Sequence, residues 1–167
     1  MENKIQLLIV DDEADFLETI SNRMEMRGFD VTKALNGEEA INAVKWKKYD
    51  IALLDLKMPG LDGIDVLKIL KDQHQYIEVI ILTAHGSIET AFDASKIGAF
   101  GFLSKPYDFD ELIDTIKNAY ALRLKKKFEN DKNKMDILSE RISELSIGAE
   151  SSLDILEELR KMDNEIK

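Results

Sequence analysis

The feature that most constrains this chain is an alternation. Five short apolar runs each give way to a segment with helical spacing. The first run, Ile5 to Val10, reads Ile-Gln-Leu-Leu-Ile-Val and is followed by acids, which predicts a buried strand. After it Phe16, Leu17, Ile20 and Met24 recur at helical spacing, and Gly28 marks a stop. Weaker strand character covers Asp30 to Ala34, followed by the turn Asn36-Gly37 and a helix through Ala40, Ile41 and Val44 to about Lys48. Ile51 to Asp55 is a third strand, broken by Met58-Pro59-Gly60, and a helix follows through Ile64, Leu67 and Leu70, or alternatively Val66 and Leu70. Glu78 to Leu82 is the most β-like run; Ile88 to Lys96 is a short helix that Gly98 stops. Phe100 to Ser104 is the fifth strand, ended by Lys105-Pro106, and from Phe109 the pattern is helical almost without interruption. Trp46 and Tyr49 are expected to pack at a helix end.

Strands that alternate with helices imply an α/β fold, a doubly wound parallel sheet covered on both faces with right-handed crossovers. Ligands of such sheets sit beyond the carboxyl ends of the strands. That rule selects residues scattered through the sequence. Asp11 and Asp12 follow the first strand, Asp55 ends the third, Thr83 follows the fourth and Lys105 follows the fifth. Singly, each has an ordinary explanation: an acidic helix N-cap for Asp11-Asp12, a strand end for Asp55, a surface hydroxyl and a solvated cation for Thr83 and Lys105. Together at one edge they describe a chemistry. Three converging carboxylates must share protons or a cation, and Mg²⁺ suits a site of a few carboxylates plus phosphate oxygens. A lysine and a hydroxyl complete the set needed to position and neutralise a phosphoryl group. Aspartate is itself a covalent phosphoryl acceptor.

Composition narrows the alternatives. The net charge is −10, with 33 acidic against 23 basic residues, which argues against a nucleic-acid partner. The absence of cysteine removes disulfides, thiolate nucleophiles and cysteine metal sites. No apolar run approaches the ~20 residues of a membrane span, and Met1-Glu2-Asn3-Lys4 shows no signal-peptide pattern. The expectation is a soluble cytoplasmic protein without membrane contact.

The segments Leu8-Ile9-Val10-Asp11-Asp12-Glu13, Leu53-Leu54-Asp55-Leu56-Lys57-Met58-Pro59-Gly60, Ile81-Leu82-Thr83-Ala84 and Phe102-Leu103-Ser104-Lys105-Pro106 closely resemble, in that order, the receiver domain of bacterial two-component response regulators. The resemblance spans about residues 5 to 122. It implies a flavodoxin-like fold with strand order 2-1-3-4-5 and five helices, the last extended into a helical tail. It implies that Asp55 accepts a phosphoryl group from a histidine kinase or phosphotransfer protein. Asp11 and Asp12 would bind Mg²⁺ with Asp55 and the backbone carbonyl of Lys57. Thr83 and Lys105 would each take a phosphoryl oxygen. Phe102, with Thr83, would be the switch. Ala84 would keep the acceptor accessible, Lys57 and His85 would tune the dephosphorylation rate, and the Lys105–Pro106 peptide bond would be cis. Such a protein is a phosphoprotein of phosphorelay signal transduction, not an enzyme beyond its own phosphorylation and dephosphorylation. The competing reading is a scaffold whose tail dimerises regardless of phosphate. An aspartyl-phosphate hydrolase is disfavoured, because Lys57 stands where that class has a second aspartate.

Residues 1–122 are expected to form the receiver and 123–167 a coiled-coil-like tail. A heptad frame places Phe128, Met135, Ile142, Ala149 and Leu156 at a and Leu138, Leu145, Leu159 and Ile166 at d. Asp131, Ser152 and Asp163 break it, and Lys127 would face Lys132 across a parallel dimer. The favoured path is a fifth helix running on, with a break near Gly148; the alternative folds a short last helix back, with Ser151 and Asp154 as its capping box. No helix-turn-helix or nucleotide loop is seen, so output would be through an unidentified protein partner or a homodimer.

Overall fold

A computed structural model describes residues 3–84, 86–148 and 151–165. Its elements are β1 (Gln6–Val10), α1 (Ala14–Glu25), β2 (Asp30–Ala34), α2 (Gly37–Trp46), β3 (Ile51–Leu54), α3 (Gly63–Gln73), β4 (Glu78–Thr83), α4 (Ile88–Ile97), β5 (Gly101–Ser104), α5 (Phe109–Phe128), α6 (Lys132–Ile147) and α7 (Ser152–Glu165). The five strands pair in parallel in the order β2-β1-β3-β4-β5, as the resemblance implied.

Period-two alternation divides the core between the two faces of the sheet. Leu7 and Ile9 of β1, Leu53 of β3 and Ile80 and Leu82 of β4 join residues of α1 and α5 on one side. Leu8, Val10, Leu54, Val79 and Ile81 join α2, α3 and α4 on the other. All of β3 and β4 is buried, which is why these strands read as continuous apolar runs. Helix starts are fixed locally: the side chains of Asn36, Asp62, Ser87 and Asp108 accept hydrogen bonds from Glu39, Ile64, Thr90 and Glu111 backbone N–H groups. Gly98 ends α4 in the left-handed region, φ 110°. Gly63 opens α3 where an added Cβ would stand 2.4 Å from the Leu56 Cα. Only glycine lets the helix approach so near the loop that follows Asp55.

Two expectations need correction. Trp46 does not pack; it is 84% exposed, whereas Tyr49 is buried. Ala40 and Val44 define the buried face of α2, and a residue two beyond Val44 lies about 200° further round the helix. The tail is helical, but the fifth helix does not run on to Leu145. It ends at Phe128, and Asp131 caps a separate α6 by accepting from Lys134 N–H. After Gly148, α7 returns to pack against α5, which is the folded-back path. Ser151 and Asp154 form its reciprocal cap: Asp154 N–H donates to Ser151 Oγ at 3.2 Å and Ser151 Oγ donates to the Asp154 carboxylate at 2.8 Å. Most of the heptad's apolar residues are used within the chain: Phe128, Leu138, Leu156 and Leu159 are buried in the α1–α5 core, with Met135 and Ile142 packed against it, while Leu145 belongs to neither core cluster. Ala149 and Ile166 lie outside the described residues. Residue 122 falls inside α5.

Candidate functional site

Parallel pairing sets the site. Asp55 N–H donates to Val10 O at 3.0 Å and Lys105 N–H to Thr83 O at 3.0 Å. The residues just past β1, β3 and β5 are thereby held level with the end of β4. Asp11, Asp55 and Thr83 are buried, while Asp12 is exposed. Carboxylate oxygens of Asp11, Asp12 and Asp55 lie within 4.8 Å of one another. These are hard oxygen donors, one of them open to solvent, and the set fits a hydrated divalent cation such as Mg²⁺.

Asp55 Oδ1 accepts from Thr83 Oγ1 at 2.6 Å and from Lys57 N–H at 3.2 Å. Its Oδ2 faces the Lys105 ammonium at 3.6 Å. Lys105 also donates to Asp11 Oδ2 and stands 3.7 Å from Glu13 Oε1. Asp11 uses its other oxygen to accept from Glu13 N–H at 2.9 Å, at the start of α1. The helix-capping reading of Asp11 is not what the structure shows: Glu13 is the N-cap of α1 and no side chain caps that helix, so Asp11 closes a local turn with one oxygen and faces the site with the other.

Burial pushes the Asp11 carboxyl above its ordinary range, against the opposing pull of Lys105. Burial alone would lower the Lys105 ammonium. The hydrogen bond and charge of Asp11, followed by the charge of Asp55, outweigh it and hold the lysine above its usual value.

The structure brings together Asp11, Asp12, Asp55, Thr83 and Lys105. The Lys105–Pro106 bond is cis. The Lys57 side chain points to solvent and Ala84 is exposed beside Thr83. Phe102 is half-buried against the α2–α4 core. Its ring lies over Gly86, where an added Cβ would come within 1.9 Å of Phe102 Cζ. His85 lies outside the described residues. Sequence reasoning missed the partner of Lys105 on α1: the ammonium sits 3.9 Å from the centroid of the Phe16 ring. Its only signal was an aromatic in the first turn after the acidic pair, and that reads as core.

A second polar cluster, at the opposite edge of the sheet, was also missed. Asp163 of α7 accepts from Tyr120 OH at 2.9 Å, Arg123 at 3.0 Å and Lys127 at 2.6 Å. Arg123 also pairs with Asp50, at 2.9 Å, just ahead of β3. Burial pushes the Tyr120 hydroxyl far up, and the charge of Asp163 adds to it. For Asp163 itself burial acts upward, but the Lys127 hydrogen bond and the charges of Arg123 and Lys127 bring it below the ordinary range. Nearby, the buried Glu78 is met by Lys126 at 2.7 Å and Lys71 at 3.8 Å.

Fold and site together define a phosphoryl-accepting α/β signalling domain. Residues 7–117 match the family model described as "Response regulator receiver domain", and the chain belongs to that family. Receiver domains act with histidine kinases or phosphotransfer proteins, bind Mg²⁺ at an acidic aspartate pocket and serve signalling rather than enzymatic turnover; the Asp11–Asp12–Asp55 cluster is consistent with that. The chain is 35% identical to sporulation initiation phosphotransferase F of Bacillus subtilis, over 71% of this chain and 95% of that protein. It is 37% identical to the transcriptional regulatory protein ZraR of Salmonella typhimurium, over 72% of this chain but only 27% of the longer regulator. Among solved structures, a Francisella response regulator receiver domain is 37% identical with a TM-score of 0.64, covering 70% of this chain and 97% of that one. The family match stops within α5, so α6 and α7 lie beyond it. No helix among the described residues is long and apolar enough to cross a membrane.

Proposed function

We propose that Asp55 is the phosphoryl acceptor of this receiver and that a phosphohistidine, on a sensor kinase or phosphotransfer protein in the cytoplasm, is the donor. The observation that carries the reading is the Asp55 carboxylate itself. It is buried, one oxygen is held by Thr83 and Lys57 N–H, and the other is turned toward Lys105, with Asp11 and Asp12 alongside. Asp11, Asp12, Asp55 and the Lys57 carbonyl would hold Mg²⁺, which when bound neutralises charge on the phosphoryl oxygens. As the P–N bond of the donor breaks, the imidazole leaves with the electron pair and a P–O bond forms to Asp55. Lys105 then pairs with one phosphoryl oxygen. Thr83 shifts its hydroxyl from the carboxylate to another. Ala84 leaves room for the donor, and Lys57 and His85 set the lifetime of the product.

The switch is a population shift, which phosphate biases only by interacting better with one state. Thr83 and Phe102 report it to the face made by α4, β5 and α5. On that face Ile88 is 92% and Phe92 59% exposed, apolar surface suited to a protein partner. A passive dimeric scaffold has less support, because Phe128, Leu138, Leu156 and Leu159 are already buried within the chain.

The test is direct. With Mg²⁺ and a small phosphodonor such as acetyl phosphate, the wild type gains one phosphoryl group by intact-protein mass and Asp55→Asn gains none; uptake by Asp55→Asn at the wild-type rate sinks the reading. Sedimentation with and without beryllium fluoride tests the output. An unchanged association state and unchanged partner binding favour the scaffold.

A further inference from the structure

The Lys105 ammonium ends a flexible four-carbon stem, and three carboxylates, of Asp11, Glu13 and Asp55, draw on it. Its hydrogen bond goes to Asp11, and Glu13 at 3.7 Å competes with Asp55 at 3.6 Å. One contact is of another kind. The ammonium lies 3.9 Å from the centroid of the Phe16 ring, within cation–π range. The lysine side chain is only 10% exposed, so water screens this contact little. The ring is itself braced: Tyr107, one residue after Pro106, meets it edge-on at 6.0 Å and 89°. Phe16 thus stands on α1 with its face toward the cation and its ring in perpendicular contact with Tyr107 of the loop that carries the cation.

We propose that Phe16 is a positioning residue of the receiver site, whose ring face holds the Lys105 ammonium in place to receive a phosphoryl oxygen. The inference rests on the assignment of Asp55 as acceptor. A ring quadrupole attracts a cation across its whole face. It therefore guides the ammonium as the lysine gives up Asp11 for the phosphoryl group, where a second carboxylate would compete for it. A leucine at 16 fills much of the same volume against the α1–α5 core but offers no such face. Aromatic character, beyond apolar bulk, is what the site uses.

The experiment measures the rate constant for phosphorylation of the full chain by acetyl phosphate with saturating Mg²⁺, in Phe16→Leu, Phe16→Tyr, Lys105→Met and the Lys105→Met, Phe16→Leu double variant. Loss of a well-shielded cation–π contact predicts that Phe16→Leu reacts about three- to thirtyfold more slowly. Phe16→Tyr, which keeps the ring, stays within about twofold of wild type. In the Lys105→Met background the further change to Leu has no effect, because there is no cation left to hold. A plain packing role predicts instead that Leu slows both backgrounds equally, and that result overturns the proposal, as does a Leu variant as fast as wild type. Should Phe16→Leu melt below the assay temperature, Phe16→Met serves in its place with the same expected loss. If the wild type takes no phosphoryl group on Asp55, the acceptor assignment fails; if it does and Phe16→Leu matches it, only the present inference fails.

Discussion

The two ends of strand β3 carry polar clusters of opposite kinds. Past its carboxyl end, Asp11, Asp12 and Asp55 lie together, and among the described residues Lys105 is the cation that pairs with Asp11 and Asp55, with Glu13 at the rim. Ahead of its amino end, Asp50 and Asp163 are matched by Arg123 and Lys127, with Tyr120 closing the network. The first cluster has excess negative charge and an exposed member; the second is balanced in charge, and each of its members is at least partly buried. Partly buried charge is tolerated when paired and hydrogen-bonded, so the balanced end reads as a structural lock for α7. The unbalanced end lacks positive charge that a cation can supply, and that is where chemistry belongs.

The contrast is broken most decisively by removing one acid at each end. Asp55→Asn should lose all phosphoryl uptake yet change the unfolding free energy by less than about 1 kcal/mol, since an amide oxygen can still accept from Thr83 and Lys57 N–H. Asp163→Ala should do the reverse. It leaves the Tyr120 hydroxyl and the Lys127 ammonium without this partner and removes one of the two Arg123 pairings. A loss of about 2–4 kcal/mol in urea unfolding is expected, at the lower side of what breaking a buried pair costs because Asp50 remains. Phosphoryl uptake by the folded fraction should be retained. Equal stability losses for the two variants would erase the distinction.

Mg²⁺ should discriminate next. At a concentration about a hundred times Kd, it should stabilise the wild type by roughly 2.7 kcal/mol. Asp12→Ala should lose that increment, whereas Asp163→Ala should keep it on a lower baseline. If Mg²⁺ stabilises Asp12→Ala as strongly as wild type, the carboxyl-end cluster is not the ion's site.

The pH dependence should have opposite sign at the two ends. Asp163 has a depressed folded value, so its stabilisation is present above the unfolded value of about 3.9 and is lost as pH falls through the folded one. The stability gap between wild type and Asp163→Asn should therefore shrink on acidification. Asp11 is raised by burial, so the folded state binds its proton more readily than the unfolded chain. Its charge opposes folding as pH rises through the interval above about 3.9. In Mg²⁺-free buffer, the gap between Asp11→Asn and wild type should narrow as pH falls through that interval. Asp50 is raised by burial as well, despite Arg123, and a wild-type profile alone blends both signs. Only the paired variants separate them.

The carboxyl end was legible in the sequence because topology does the assembling. Once the alternation of strands and helices is read, Asp11, Asp12, Asp55, Thr83 and Lys105 must come to one edge, wherever the exact strand ends fall. The amino end was not, because its acid lies on a helix whose path the sequence left open. Asp163 read as a fault in a heptad frame; in the fold it is the residue around which α7 is docked. The complementary signal was present on α5, where Tyr120, Arg123 and Lys127 recur at spacings of three and four and share one helix face. A stripe with two cations and a phenol calls for an acid opposite, but nothing local says which acid. The break at Glu129–Asp131 was missed for a similar reason. Asp131 was read as an intruder at a d position, although an Asn-Asp pair just before a helical run is also a cap signal.

The smallest effect tests whether the lock depends on its acid alone or also on how α7 begins. Ser151 accepts from Asp154 N–H and donates back to its carboxylate, remote from Asp163. Ser151→Ala removes this cap and should cost about 0.5–1 kcal/mol, read as faster amide exchange in the first turns of α7. If α7 is held chiefly by Asp163 and by Leu156 and Leu159 in the core, exchange near Asp163 and the rate of phosphoryl uptake should both stay at wild-type levels. A cap loss that also released the last turns of α7 would show that the helix docks as one cooperative unit, and the amino-end lock would then extend from Ser151 through Asp163.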